Sequence, residues 1–408
     1  MAGQTDTTNY PDSNIYRYKV TAKFISNSDT YDIDTFNIKS VVIDNDYDKN
    51  NMPLLYMTAS LDRKLVDMMV QNQDNAKIIL DIKRCIINSD MPSLYEDYIV
   101  SDFIYFITND INKNDEHDFE GNNEGREDLF RIVTFGLMSI DMINKNKRVI
   151  NGVITGKLSS IMYWLVNHIP IVVEPPTTNK KMVRMIMPPI YSVSKSLEYV
   201  NSLQTFYDTG YRYYVDFDCT YLISRSGKAV PKQGESITGV MITLKNSHDE
   251  RSKLQGMLAD EKISMYQLEI DGIDCELNDG HLSDKSYVKI KSTNTSGKSN
   301  NTELSGNVVG SIINKKDRHI RVLNDNDTLM NNLKVKLDDS AIQLAVQKTD
   351  IDPSVLTINK EYTVKADEVY KTDEYNGKYL VTRKRELLIR EDEDFRMATM
   401  LLMKKIQE

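Results

Sequence analysis

The sequence predicts an α+β protein, mostly antiparallel β. Many segments alternate apolar and polar residues, the period of a half-buried strand. Helical spacing is confined to a few short stretches between them. Gly, Pro, Asn and Asp punctuate the joins. The chain has 408 residues, 40% hydrophobic and 27% charged, so it can build buried cores. That length exceeds one ordinary domain and predicts about two to four.

Residues 1–15 are polar and read as a flexible arm. From Tyr16 onward, Tyr18, Val20, Ala22 and Phe24 fall on one face of a strand, with Lys19, Thr21 and Lys23 on the other. A second strand is expected over 36–43. Pro53 opens a strand–helix–strand unit: a strand at 54–58, a helix at 61–70 with Leu61, Leu65, Met68 and Met69 inward, and a strand at 77–87. The polar, Gly-bearing segment 115–127 reads as a loop before a strand at 130–138. A helix is expected over 157–167, broken by Pro170, Pro175 and Pro176, with Pro188-Pro189 as a second stop. Val193, Leu197, Val200, Leu203 and Tyr207 predict a further helix within 191–207, which Gly210 is expected to cap.

The clearest alternation lies at 211–224 and reads as one strand. Tyr211, Tyr213, Val215, Phe217, Cys219, Tyr221 and Ile223 form its apolar face. Arg212, Tyr214, Asp216, Asp218, Thr220 and Ser224 form the other, and Ser226-Gly227 closes it with a turn. Strand–helix–strand order returns at 237–244, 249–258 and 263–270, with Leu254 and Leu258 inward, so an internal duplication is expected. The low-complexity stretch 292–301 reads as a flexible surface loop. Short strands are expected at 307–313, 319–323, 333–337 and 361–369, and a long one at 378–390 after Gly377. Phe395, Met397, Met400, Leu401 and Met403 predict a C-terminal helix over 395–406.

The net charge is −9, and the densest basic stretch, Arg383-Lys384-Arg385, is followed closely by Glu391-Asp392-Glu393-Asp394. Specific nucleic-acid binding needs a basic stripe, so it is not expected. Cys85, Cys219 and Cys275 are odd in number and far apart, which argues against a disulfide scaffold or a structural zinc site. No apolar run approaches the roughly 20 residues of a membrane helix, and the N-terminus lacks the pattern of a signal peptide. Folding in a cytoplasm is the expectation.

The chemistry-bearing residues form no strong constellation. His117, His168, His248, His281 and His319 show no metal-ligand spacing. Nucleophile-elbow, phosphate-loop and dinucleotide-binding motifs are lacking. Asp216 and Asp218, two apart on the expected strand, could share a cation or a proton, but read better as a solvent- or lumen-facing polar row. Asp44-Asn45-Asp46-Tyr47-Asp48 has some likeness to a calcium loop, yet lacks its Gly and its closing Glu, and reads as a hairpin tip. His168 reads as a cap or buried polar contact and Cys219 as a small core residue. No catalytic, cofactor-binding or metal-binding residue is assigned, and no cofactor is expected.

Pro188-Pro189-Ile190, the helix ending Leu203-Gln204-Thr205-Phe206-Tyr207, Gly210, and then Tyr214-Val215-Asp216-Phe217-Asp218-Cys219-Thr220-Tyr221-Leu222-Ile223 together resemble the central signature of phage baseplate hub proteins. Met52-Pro53-Leu54-Leu55-Tyr56-Met57 with its following helix is similar to that family's first tube-domain unit. Tyr375-Asn376-Gly377-Lys378-Tyr379 is similar to its late Y-x-G-x-Y strand start. The resemblance implies a contractile-tail-type hub of the T-even kind, a structural protein of the virion and not an enzyme. It implies two tail-tube-like β-barrel domains joined by an α/β region: first barrel 16–148, connecting domain 149–224, second barrel 225–375, then a C-terminal strand and helix at 376–408. Three copies would form a pseudo-sixfold ring.

That homotrimer would sit between the tail tube or distal tube proteins and the central spike, with the tape measure protein as a further neighbour. DNA would pass through an acidic lumen without specific binding, because like charge repels phosphate. Membrane insertion by this chain is not expected. Placement in the virion's tail baseplate, after assembly in the host cytoplasm, follows. A tail-associated cell-wall hydrolase, or a tube or adaptor subunit, is the alternative. Tyr-rich composition (23 residues) suits broad interfaces.

Overall fold

In the computed structural model the described residues are 15–26, 29–88, 91–92, 95–110, 130–167, 170–177, 179, 182–231, 237–245, 263–271, 275–278, 287–293, 299–305, 343–349, 356–366 and 376–406. The N-terminal third contains β1 (Ile15–Ser26), β2 (Asp29–Ile33), β3 (Ile38–Asp46), β4 (Leu54–Asp62), α1 (Arg63–Gln71), β5 (Ala76–Asn88), β6 (Met91–Pro92), β7 (Glu96–Asp110) and β8 (Phe130–Ser139). The middle contains α2 (Ile140–Asn146), β9 (Lys147–Lys157), α3 (Leu158–Val166), β10 (Ile171–Val173), β11 (Met182–Ser192), α4 (Val193–Leu203), β12 (Tyr211–Val215) and β13 (Thr220–Ser224). Then follow β14 (Ile237–Lys245), β15 (Ile263–Asp271), β16 (Cys275–Asn278), β17 (Tyr287–Thr293), β18 (Ser299–Ser305), β19 (Gln343–Thr349), β20 (Glu361–Ala366), β21 (Gly377–Glu391) and β22 (Asp394–Lys405). The result is α+β and mostly antiparallel.

The strand pairings close on themselves. Reading neighbours in order, β21, β3, β4, β8, β7, β5, β1 and β22 form a circuit, because β22 also pairs with β21. The final join, between β1 and β22, is the single pair Tyr18–Phe395. Inside lies a core whose fully buried members include Tyr18, Val20, Phe24, Met57, Leu80, Phe103, Phe135 and Phe395. These residues alternate along their strands with outward polar ones, as the pleat requires. Closing the circuit removes the free edges that would otherwise recruit other strands.

The β21–β22 hairpin continues past this circuit into a second sheet. Its lower half pairs with β20 on one side and β19 on the other, and β20 leads to β14 and β15. Accordingly Leu388, Phe395 and Met397 belong to the first core, while Tyr379, Val381, Leu401 and Met403 belong to a second. A bulge between Val381 and Arg383 marks the crossing. One extra residue there adds local twist, so a long hairpin can serve two cores.

A third core fills the α/β region. Leu158, Ile161, Met162 and Leu165 of α3 pack with Val193, Leu197 and Val200 of α4 beneath the β9–β11 ribbon. Ser192 starts α4, its Oγ accepting from Lys195 N at 3.2 Å, and Asp62 starts α1 by accepting from Lys64 N at 2.8 Å. Each satisfies an otherwise orphaned first-turn amide.

Several expectations change. The segment expected as a C-terminal helix is strand β22, with Phe395, Met397, Leu401 and Met403 buried at alternate positions. Pairing with β21 and β19 decides this over the helix propensity of Met and Leu. The single strand expected over 211–224 is a hairpin, β12 and β13, joined by Asp216–Cys219. Both its faces are buried. Tyr213 pairs with Leu222 and faces the third core, whereas Tyr214 and Tyr221 face the second. Helix α4 ends at Leu203, so Gly210, at φ +83°, shapes the turn into β12 instead of capping the helix. Pro188-Pro189 do not stop a strand. They sit within β11 at a register shift between Met187 and Ile190, where the missing amides break no regular ladder.

Residues 292–293 and 299–301 of the expected loop lie in the β17–β18 hairpin, and 294–298 lie outside the described residues. The strand expected from 36 begins at Ile38, and Phe36 is exposed in a short 3-10 turn, Thr35–Asn37. The helix expected from Leu61 starts at Arg63, with Leu61 the buried end of β4. The two strand–helix–strand units do not pair alike. β4 and β5 are separated by β8 and β7, whereas β14 and β15 are adjacent and parallel. The loop expected at 115–127, the helix at 249–258, the strands at 307–313, 319–323 and 333–337, the 1–14 part of the arm, and all five histidines lie outside the described residues.

Candidate functional site

The β12–β13 turn closes one end of the first core. Phe217 packs against both the first and third cores, its ring 6.4 Å from that of Phe103. Beside it is a cavity of about 250 Å³ lined by Asn45, Arg84, Tyr98, Asp216, Asp218, Lys384 and Glu386 among others. Lys384 Nζ lies 2.6 Å from Glu386 Oε1, and the two side chains are 7% and 2% exposed. Tyr98 donates its hydroxyl proton to Glu386 Oε2 at 3.1 Å. Burial opposes the charge on Lys384, but Glu386 and Asp216 outweigh it and hold its pKa above the ordinary lysine value.

Asp216 is half-buried, and desolvation pushes its pKa to about 6 despite the Lys384 cation; Asp218 and Glu386 add to the rise. Its own Oδ1 accepts from Phe217 N at 2.9 Å. The two carboxylates of the expected polar row both line the cavity, Asp216 half-buried and Asp218 exposed at the turn. The chemistry here is that of a joint: three segments distant in sequence are tied by one buried cation among carboxylates.

The segment read as a hairpin tip, Asp44 to Asp48, forms a second joint. Asp44 and Asn45 are buried within β3, and only the residues after Asp46 turn. Asp46 Oδ1 shapes that turn by accepting from Asp48 N and Lys49 N. Asp48 receives Arg212 Nη2 at 2.9 Å and Arg225 Nη2 at 2.7 Å, while Arg212 Nη1 donates to the Val381 carbonyl at 2.7 Å. Burial raises the Asp48 pKa, and the two guanidinium groups reverse that to hold it below the ordinary value. Asp44 is likewise held low, with Arg383 and Arg385 overcoming its burial. Tyr214 donates to Asn45 Oδ1 at 2.9 Å and stacks edge-on with Tyr47 at 4.8 Å. These contacts take arginine where a calcium loop would take a cation. Among the described residues, no cluster of three or more His, Cys, Asp or Glu could hold a metal ion. Cys219 is buried in the second core, as read from sequence.

The sequence pattern missed both joints because their members lie far apart in the chain. The local signal was a strand whose polar face carries Arg212, Asp216 and Asp218 opposite an aromatic face, and it was read as facing solvent or lumen.

The exterior carries its own feature. Among the described residues, the β9–β11 ribbon pairs with no other strand. One side, with Ile150, Met185 and Met187, covers the third core. The other exposes Val153, Met182 and Ile186, at 57%, 66% and 72%. Next to it, Tyr191, Lys195 and Tyr199 line an open groove of about 640 Å³ between β11 and α4. Among the described residues, no helix is long and apolar enough to cross a membrane.

The sequence matches no family model and no curated protein. In structure, the chain is similar to a tail protein from Neisseria meningitidis (10% identity, TM-score 0.46, 95% of this chain and 96% of the other). It is also similar to a 43 kDa tail protein of prophage MuSo2 from Shewanella oneidensis (9%, 0.42, 94% and 96%). A third similar structure is an Escherichia coli component of the type VI secretion system that is itself similar to T4 bacteriophage tail proteins (7%, 0.39, 91% and 74%). The structural neighbours of this chain are thus phage tail and type VI secretion proteins, at low sequence identity throughout.

Proposed function

We propose that this chain is a structural subunit of a phage-type tail, a baseplate hub. Three copies form a pseudo-sixfold ring that joins the tail tube above to the central spike below and leaves a channel for DNA. One observation carries the reading: the closed circuit of eight strands that shares the β21–β22 hairpin with a second sheet. A wall of closed strands bound rigidly to its neighbour suits a part that transmits load and position. The proposed division is a barrel at 16–148, a connecting domain at 149–224 and a second barrel at 225–375, with 376–408 tying the two together. The motifs around Pro188-Pro189 and 214–223 support the same family.

In this reading the working residues are those that build joints and contact faces, and no cofactor takes part. The partners are two further copies, the tube or distal tube proteins, the spike and the tape measure protein. The acidic chain lets DNA slide without specific binding. The subunit is assembled in the host cytoplasm and resides in the tail baseplate. A cell-wall hydrolase is the rival, favoured by the elevated pKa of Asp216 beside a cavity. The Asp216→Asn protein decides between them: a hub variant clears no less peptidoglycan than its parent, since neither clears any. Negative-stain images of the purified protein test the hub directly. End-on rings with a central hole are expected, and isolated single particles at high protein concentration contradict it.

A further inference from the structure

We propose that the outward face of the β9–β11 ribbon is the surface on which a second copy of this chain docks, and that it receives the acidic, aromatic strip around β2 of that copy. The inference rests on the ring proposed above and names the surfaces that would build it.

The ribbon face is defined by register. Met182 lies opposite Lys157, Arg184 opposite Thr155 and Ile186 opposite Val153, and all six are exposed. Directly paired residues on adjacent strands share a face. The face therefore combines three large aliphatic side chains with two cations. Neither β9 nor β11 contains an Asp or Glu, although the whole chain carries a net charge of −9. Lys157 and Arg184 have no acidic partner within the chain among the described residues. An apolar patch rimmed by unpaired charge marks a contact surface.

The complementary strip is on the same chain. Asp29, Tyr31, Asp32, Asp34 and Phe36 are all exposed, Phe36 at 61%, and no Lys or Arg interrupts residues 29–37. Asp32 is taken by Lys23 at 3.4 Å, which leaves Asp29 and Asp34 unpaired among the described residues. Among the described residues β2 pairs only with β1, so the strip lies at a strand edge. No hydrogen bond or ion pair joins strip and ribbon within one chain among the described residues. Basic-aliphatic and acidic-aromatic faces that do not meet in one copy can meet between two. Such a contact is head-to-tail, the kind that closes into a ring. Charge complementarity sets its register, and the apolar residues supply most of the burial.

The test is a charge swap read by sedimentation of the full chain at low salt. One variant carries Lys157→Glu and Arg184→Glu, the second Asp29→Lys and Asp34→Lys, and the third all four. Unchanged circular dichroism and urea midpoints establish that each variant folds, as expected for exposed positions. Each two-site variant should weaken association by on the order of tenfold or more, and the four-site variant should recover most of the loss. If the parent associates and either two-site variant associates equally well, or if the combination fails to recover, these are not the mating surfaces and the ring stands without them. If the parent itself stays monomeric at every concentration, the ring reading falls and takes this inference with it.

Discussion

Replacing Lys384 by Met keeps a long unbranched side chain and removes the buried cation paired with Glu386, leaving Arg84 as the other cation lining the cavity. Glu386, 2% exposed, then loses the partner at 2.6 Å, and Asp216 loses the charge that most favours its ionised form. Breaking a buried pair by removing one member costs about 3–5 kcal/mol. The lower end applies here, because Tyr98 still donates to Glu386 and because a carboxyl can neutralise itself by taking up a proton. That second relief depends on pH. In the parent, desolvation raises Asp216 from 3.8 to about 6. A carboxyl with a raised folded-state pKa costs nothing below its unfolded value, and its penalty grows as pH rises toward the folded value. Here the full penalty is about 3 kcal/mol, reached above pH 6. Without Lys384 the Asp216 pKa moves higher still. The Lys384→Met deficit should therefore be largest at pH 8 and smaller at pH 5. Urea unfolding followed by circular dichroism at the two pH values measures it. Asp44 and Asp48, both held low, stay ionised at pH 5 and do not interfere. A variant as stable as the parent at pH 8, or one whose deficit grows on acidification to pH 5, would show that Lys384 does not stabilise these buried carboxyls.

Three further substitutions probe the architecture. Phe395→Ala removes a fully buried ring at the one residue pair that closes the strand circuit, and should cost about 3–5 kcal/mol in urea unfolding. Phe217→Ala, at the half-buried turn, should cost less, about 1–3 kcal/mol, and should loosen the turn over the cavity, seen as faster amide exchange at 216–219. Arg212→Met strands Asp48 with Arg225 alone and leaves the Val381 carbonyl unmatched; a loss of about 3 kcal/mol is expected, with the acid-unfolding midpoint moving to higher pH because Asp48 is no longer held as low.

Six of the eight strands of the first circuit, β1, β3, β4, β5, β8 and β21, were legible because each has one wet face, whereas β7 was not expected. Tyr18, Val20, Ala22 and Phe24 alternate with exposed or half-exposed residues, and the pleat reports that directly. β22 was not legible. Phe395, Met397, Leu401 and Met403 fit a strand period, but Met400 and the helix-forming methionines also fit a helical one. Only the partner strands settle the choice. The 211–224 stretch failed for a different reason. Odd-numbered residues were expected on one face, yet the pairing Tyr213–Leu222 puts an odd residue beside an even one, so the apolar set divides between two cores. Alternation persists across such a turn while the chain direction reverses. Asp216 and Asp218 were noticed, but the Lys384 and Glu386 that define their setting are over 160 positions away in the chain. Local pattern contains no record of that proximity.

A ring-forming structural subunit must associate with itself in solution. Native mass of the 408-residue chain across a wide concentration range at low salt tests this most directly. A dominant species at three times the 46.9 kDa chain mass, favoured by rising concentration, is expected. A species that stays at the single-chain mass over the whole range contradicts it.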